Sequence, residues 1–66
     1  MSKLYIIADR QPDGTYFWNG KRWSSEYPDA QRYSKSEGTR ELKRIGGPAQ
    51  LIENYGLNSE KTVYTN

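Results

Sequence analysis

Apolar positions fall in short clusters separated by turn residues, and no stretch of the chain is continuously hydrophobic for long. Residues 3–9 hold the unbroken run Leu4-Tyr5-Ile6-Ile7, rich in β-formers, which predicts a first strand. A run without alternation implies that both faces of this strand are covered, or that one is used for binding. Gln11-Pro12-Asp13-Gly14 then supplies turn chemistry, with proline fixing φ and glycine tolerating positive φ. Asn19-Gly20 lies between Tyr16-Phe17-Trp18 and Lys21-Arg22-Trp23, and Asn-Gly is the preferred pair for a two-residue hairpin turn. A turn centred there sets Trp18 opposite Lys21, Phe17 opposite Arg22 and Tyr16 opposite Trp23. Tyr16, Trp18, Trp23 and the Lys21 stem then share one face, and Phe17 shares the other with Arg22.

Residues 25–33 read as irregular, with Tyr27-Pro28-Asp29 as a turn and Ala30 and Tyr33 pointing inward. Ser34-Lys35-Ser36-Glu37 has the form of a capping box, in which Ser34 accepts from the third helical amide and Glu37 reaches back to the Ser34 amide. The helix is expected over 35–45, ended by Gly46-Gly47 and Pro48. Gly38, Leu42 and Ile45 form its apolar stripe, and Gly38 makes sense if the helix lies close to a sheet. The opposite side carries Arg40, Lys43 and Arg44, with Glu37 placed to pair with Arg40 and Glu41 with Arg44. Residues 49–55 fit either a strand or a short helix, and we favour the strand, because three strands leave the helix little to lie on. Residues 61–65, Lys-Thr-Val-Tyr-Thr, are β-prone. The whole chain, 1–66, then reads as one α+β domain. Its antiparallel sheet has four or five strands in the order β-β-β-α-β, with a possible further C-terminal strand and one helix on one face.

Composition sharpens this picture. Hydrophobic residues make up 33% of 66 residues, and nine of them are aromatic, so aliphatic side chains are too few to build the interior alone. Tyr16, Trp18 and Trp23 are therefore expected beneath the helix stripe. There is neither Cys nor His, which excludes disulfides, thiolate or imidazole zinc sites and the catalytic sets that need those residues. The eight carboxylates are scattered over turns and the helix, and Glu37 and Glu41 read as a solvated pair rather than a divalent-ion site. Gly46-Gly47 cannot cradle phosphate, because Pro48 has no amide hydrogen to give. No apolar stretch approaches the roughly 20 residues of a membrane span, and the N-terminus has no signal-peptide core. Ten cations against eight anions leave a net charge of +2, too small a surplus to indicate a nucleic-acid partner by itself. The expectation is a cytoplasmic, non-enzymatic protein without cofactor or metal, a monomer or a weak homodimer through its open last strand.

An aromatic strand pair, the entry Asp29-Ala30-Gln31-Arg32-Tyr33-Ser34, one helix and a closing strand make up a layout over residues 4–55. It resembles small orphan proteins of phages and other mobile elements, and implies a small cytoplasmic accessory protein that acts by binding, without identifying the partner. The surplus of aromatics in a chain without catalytic groups points to a macromolecular partner, a protein before a nucleic acid. A second likeness lies at 46–66. Gly46-Gly47-Pro48-Ala49-Gln50-Leu51-Ile52 with Tyr55-Gly56-Leu57-Asn58-Ser59 is similar to the first helix and turn of a helix-turn-helix, with Thr62 and Val63 on a short second helix.

With the rings inside, the far face of the sheet shows Phe17 and Arg22, with Tyr5 or Ile7 beside them, an aromatic–arginine patch of the kind found at protein interfaces. Arg40, Lys43 and Arg44 are the other expected partner-binding surface. The nucleic-acid alternative stacks bases on Trp18 and Trp23, with Lys21, Arg22 and Arg10 meeting phosphate.

Overall fold

The computed structural model describes residues 5–66, so Lys3 and Leu4 of the expected first strand lie outside the described residues. One antiparallel sheet contains all five strands: β1 (Tyr5–Gln11), β2 (Gly14–Trp18), β3 (Trp23–Ser24), β4 (Gln50–Glu53) and β5 (Lys61–Thr65). Their spatial order is β3-β2-β1-β4-β5. The helix α1 (Lys35–Ile45) links the meander β1–β3 to the hairpin β4–β5. The first strand is thus central, flanked by β2 on one side and β4 on the other. The last strands resolve the ambiguity at 49–55 in favour of a strand. They also overturn the helix-turn-helix likeness, because 50–53 and 61–65 pair edge to edge. The β-branched and aromatic run Thr62-Val63-Tyr64-Thr65 suits a pleated edge better than a helix.

The unbroken apolar run of β1 is explained by burial on both faces. Tyr5 and Ile7 join Leu42, Ala49 and Leu51 under the helix, with Trp18, Trp23, Tyr33, Ile45 and Val63 packed around them. Ile6 and Ala8 face the other way, into a second cluster with Phe17, Ala30 and Ile52. That second face is closed by the 3-10 turn Tyr27–Asp29 and by Tyr55.

The helix forms over the expected residues. The Ser34 hydroxyl accepts from the Glu37 amide at 3.3 Å and donates to the Glu37 carboxylate at 2.9 Å. The reciprocal bond of this cap therefore runs to the Ser34 side chain, not to its amide as expected. At the other end the Gly46 amide donates to the Leu42 carbonyl, with Gly46 at φ 73°. Asn66 Nδ2 donates to that same carbonyl at 2.8 Å, tying the end of β5 to the helix. Gly38 is buried, and a Cβ there would lie 2.6 Å from Leu51 Cδ1 and 3.2 Å from Tyr33 Cβ. The glycine sets the distance between helix and sheet.

The second hairpin departs from expectation. Trp18 pairs with Trp23 and Phe17 with Ser24, so the turn is centred on Gly20-Lys21 rather than Asn19-Gly20. The Asn19 amide donates to the Arg22 carbonyl at 3.1 Å. Its side-chain Oδ1 accepts from both the Lys21 and Arg22 amides at 2.8 Å. Asn19 acts as the capping residue before the turn, and Gly20 takes the positive φ, at 100°. The physical basis is that an Asn side chain closes a turn from outside as well as it occupies one from within.

Candidate interaction surfaces

The corrected register makes Trp18 and Trp23 a cross-strand pair, with rings 5.4 Å apart and inclined at 66°. Both lie half-buried against the helix-side core. Trp18 Nε1 donates to the Glu41 carboxylate at 2.8 Å. Arg44 donates twice to the same carboxylate, at 2.9 and 2.6 Å. Those Arg44 bonds, with the Trp18 donor, hold the Glu41 carboxyl below its ordinary value, against an opposing effect of burial. Burial and the nearby Glu41 charge raise the Tyr33 hydroxyl. Two of the three rings expected beneath the helix are there. Tyr16 is not, and its hydroxyl donates to Asp13 at 2.9 Å on the rim. The indoles are therefore engaged by the protein itself, with part of each left in solvent. Lys21 and Arg22 stay exposed in the turn, and Arg10 lies on the other face of the sheet with Tyr55.

The expected Phe17–Arg22 patch is not formed. Phe17 is 4% exposed and Tyr5 8%. Because Ala8 pairs with Phe17, the phenyl ring shares its face with Ile6 and Ala8, while Tyr5 and Ile7 point to the helix. Phe17 is the floor of a different aromatic surface. Tyr27 and Tyr55 meet it edge-on at 5.5 and 5.2 Å and approach each other at 4.8 Å with an inclination of 33°. Arg32 lies over the Tyr27 ring at 4.9 Å, and Arg10 lies 6.0 Å from the Tyr55 centroid while paired with Glu60. Tyr27 keeps 37% of its surface in solvent.

Tyr55 opens a loop that holds itself together. The Leu57 amide donates to the Asn54 carbonyl, the Glu60 amide to the Leu57 carbonyl, and Asn54 Nδ2 to the Ser59 hydroxyl, each at 3.0 Å. The Gly56 amide donates to the Glu60 carboxylate at 2.9 Å. That bond and the Arg10 guanidinium hold the Glu60 carboxyl below its ordinary value. Leu57 stands at the tip of this braced loop, 63% exposed. Sequence reasoning missed Tyr27, Arg32, Tyr55 and Leu57. The available signal was an apolar residue set directly after a turn glycine, in Tyr55-Gly56-Leu57.

A third surface lies on the helix. Lys35, Ser36, Thr39, Arg40 and Lys43 line an open depression of about 760 Å³. Lys43 Nζ lies 5.7 Å from the centroid of the Tyr64 ring on β5. The expected Glu37–Arg40 pair is absent, because Glu37 is taken by Ser34. Glu41 is taken by Trp18 and Arg44, which removes Arg44 from the expected Arg40–Lys43–Arg44 group. Among the described residues no cluster of three carboxylates could hold a metal ion. No helix among them is long and apolar enough to cross a membrane. Compared with known protein families, with curated proteins and with solved structures, the chain matches none of them.

Proposed function

We propose that this chain works as a small accessory binding protein that docks a protein partner through Tyr27, Tyr55 and Leu57, with Arg10 and Arg32 at the rim. One observation carries the reading: a leucine held in solvent at the tip of a loop whose amides and side chains are bonded to one another. An exposed leucine on a free loop gains nothing for folding. On a fixed loop it is a preorganised anchor, which reduces the entropy lost on association. Tyr55 in the same loop and Arg10, paired with the loop's Glu60, are residue types enriched at interface centres. The partner implied has an apolar pocket for Leu57 and a surface on which the Tyr27–Tyr55 pair can lie.

The immobilised chain should retain such a partner from lysate of its native host. The double substitution Tyr27→Ala/Leu57→Ser should lose that protein while keeping the far-UV circular dichroism of the parent. An identical retained set from parent and variant rejects this surface.

A further inference from the structure

The helix separates its charges across its own axis. At 100° per residue, Lys35, Thr39 and Lys43 lie in one row, with Ser36 and Arg40 beside it. Glu37 and Glu41 fall on the other flank. Both acids are engaged there, Glu37 with Ser34 and Glu41 with Trp18 and Arg44. Lys35, Arg40 and Lys43 form no ion pair among the described residues, so the flank presents three unneutralised cations. Arg44 offsets the Glu41 charge and Glu37 keeps its own, so the helix carries four cations against two anions, and three of the cations stand on this flank.

We infer that this flank binds the phosphate backbone of duplex nucleic acid without regard to sequence. Lys35 and Lys43 are eight residues apart, about 12 Å along the axis. A duplex carries one charge per roughly 1.7 Å, so a run of that length meets phosphate in any register. An acidic protein surface fits less well. Interface centres are built on aromatic anchors, whereas no aromatic residue lies on this flank itself and the Tyr64 ring beside it has the Lys43 ammonium over its face. Thr39 donates its hydroxyl proton to the Lys35 carbonyl at 2.7 Å, which leaves Ser36 as the hydroxyl donor for a phosphate oxygen. The flank shares no residue with the Tyr27–Leu57 surface, so either reading can fail without the other.

The test is fluorescence anisotropy of a labelled 20-base-pair DNA duplex. Three neutralised phosphates give a salt slope near −2.7, so binding should weaken about 40-fold between 50 and 200 mM salt. Lys35→Gln/Arg40→Gln/Lys43→Gln should abolish binding at 50 mM. Lys35→Glu, whose charge suits the first helical turn, should weaken it several-fold with the helix intact. Lys21→Gln/Arg22→Gln should change nothing. The inference is overturned by absence of binding at 50 mM, by a triple variant that binds like the parent, or by loss in the turn variant. It is also overturned if polyglutamate displaces the duplex at equal charge concentration, since the flank then reads acid of any kind.

Discussion

The indole N–H of Trp18 donates to the carboxylate of Glu41 at 2.8 Å, joining the second strand to the middle of the helix across 23 residues of sequence. Arg44 completes the carboxylate's shell from the helix itself. Glu41→Ala removes the acceptor from a half-buried donor, which should cost about 1–3 kcal/mol. Arg44→Ala, which removes only an exposed ion-pair partner, should cost under about 1 kcal/mol. Urea denaturation followed by tryptophan emission measures both, and equal losses would reject the central role given to the indole bond.

Acid should weaken the fold through two carboxylates. Glu41 and Glu60 both sit below their ordinary value of 4.5 in the folded chain. For Glu41 the first cause is the Arg44 hydrogen bond, and for Glu60 it is the Gly56 amide. A carboxyl depressed on folding contributes stability that is present above its unfolded pKa and is lost as pH falls through its folded one. The melting temperature should thus fall as pH drops below about 4.5. Glu41→Gln/Glu60→Gln should flatten that fall, and a parallel curve for this variant would show that other groups control it.

Phe17 and Arg22 should separate cleanly. Phe17→Ala empties the floor beneath Tyr27 and Tyr55 and should cost about 3–5 kcal/mol, a large share of the stability of any small domain. Arg22→Ala, in an exposed turn, should stay within about 0.5 kcal/mol. Thermal melts of both decide the matter. A Phe17 variant that melts like the parent would contradict its burial.

Gly38→Ala should destabilise although it improves helix propensity by about 1 kcal/mol. The added methyl meets Leu51 at 2.6 Å, and Leu51 is itself fully enclosed. Overpacking of this kind costs about 1–3 kcal/mol. Leu51→Val should relieve part of the clash, so the double variant should lose less than the two single losses added together. Strict additivity would place the steric cost elsewhere.

Local signals in the sequence specify the helix well. Ser34, Glu37 and Gly46 act within one turn of the residues they cap, and the helix runs over 35–45 as read. The shortage of aliphatic residues likewise foretold that both indoles pack against the helix-side core. The turn at 19–22 was less legible, since Asn19 can either occupy a turn or close it, and one residue of difference changes every cross-strand partner. The Tyr27–Tyr55 surface was not legible at all. Its rings lie 28 residues apart in sequence, and they meet only because the 3-10 turn and the β4–β5 loop close the same face of the sheet over Phe17.

The central place of the first strand bears on how this chain is made. The partners of its pairing with the fourth strand lie some 40 residues apart in sequence, and on a ribosome Tyr5 to Ala8 are made before Gln50 to Glu53, which flank them on one side. Until then a greasy segment stands with one flank bare, open to chaperones and to neighbouring nascent chains. Synthesis should therefore be a hazardous interval for this fold, and slow translation of the residues between these two strands would prolong it.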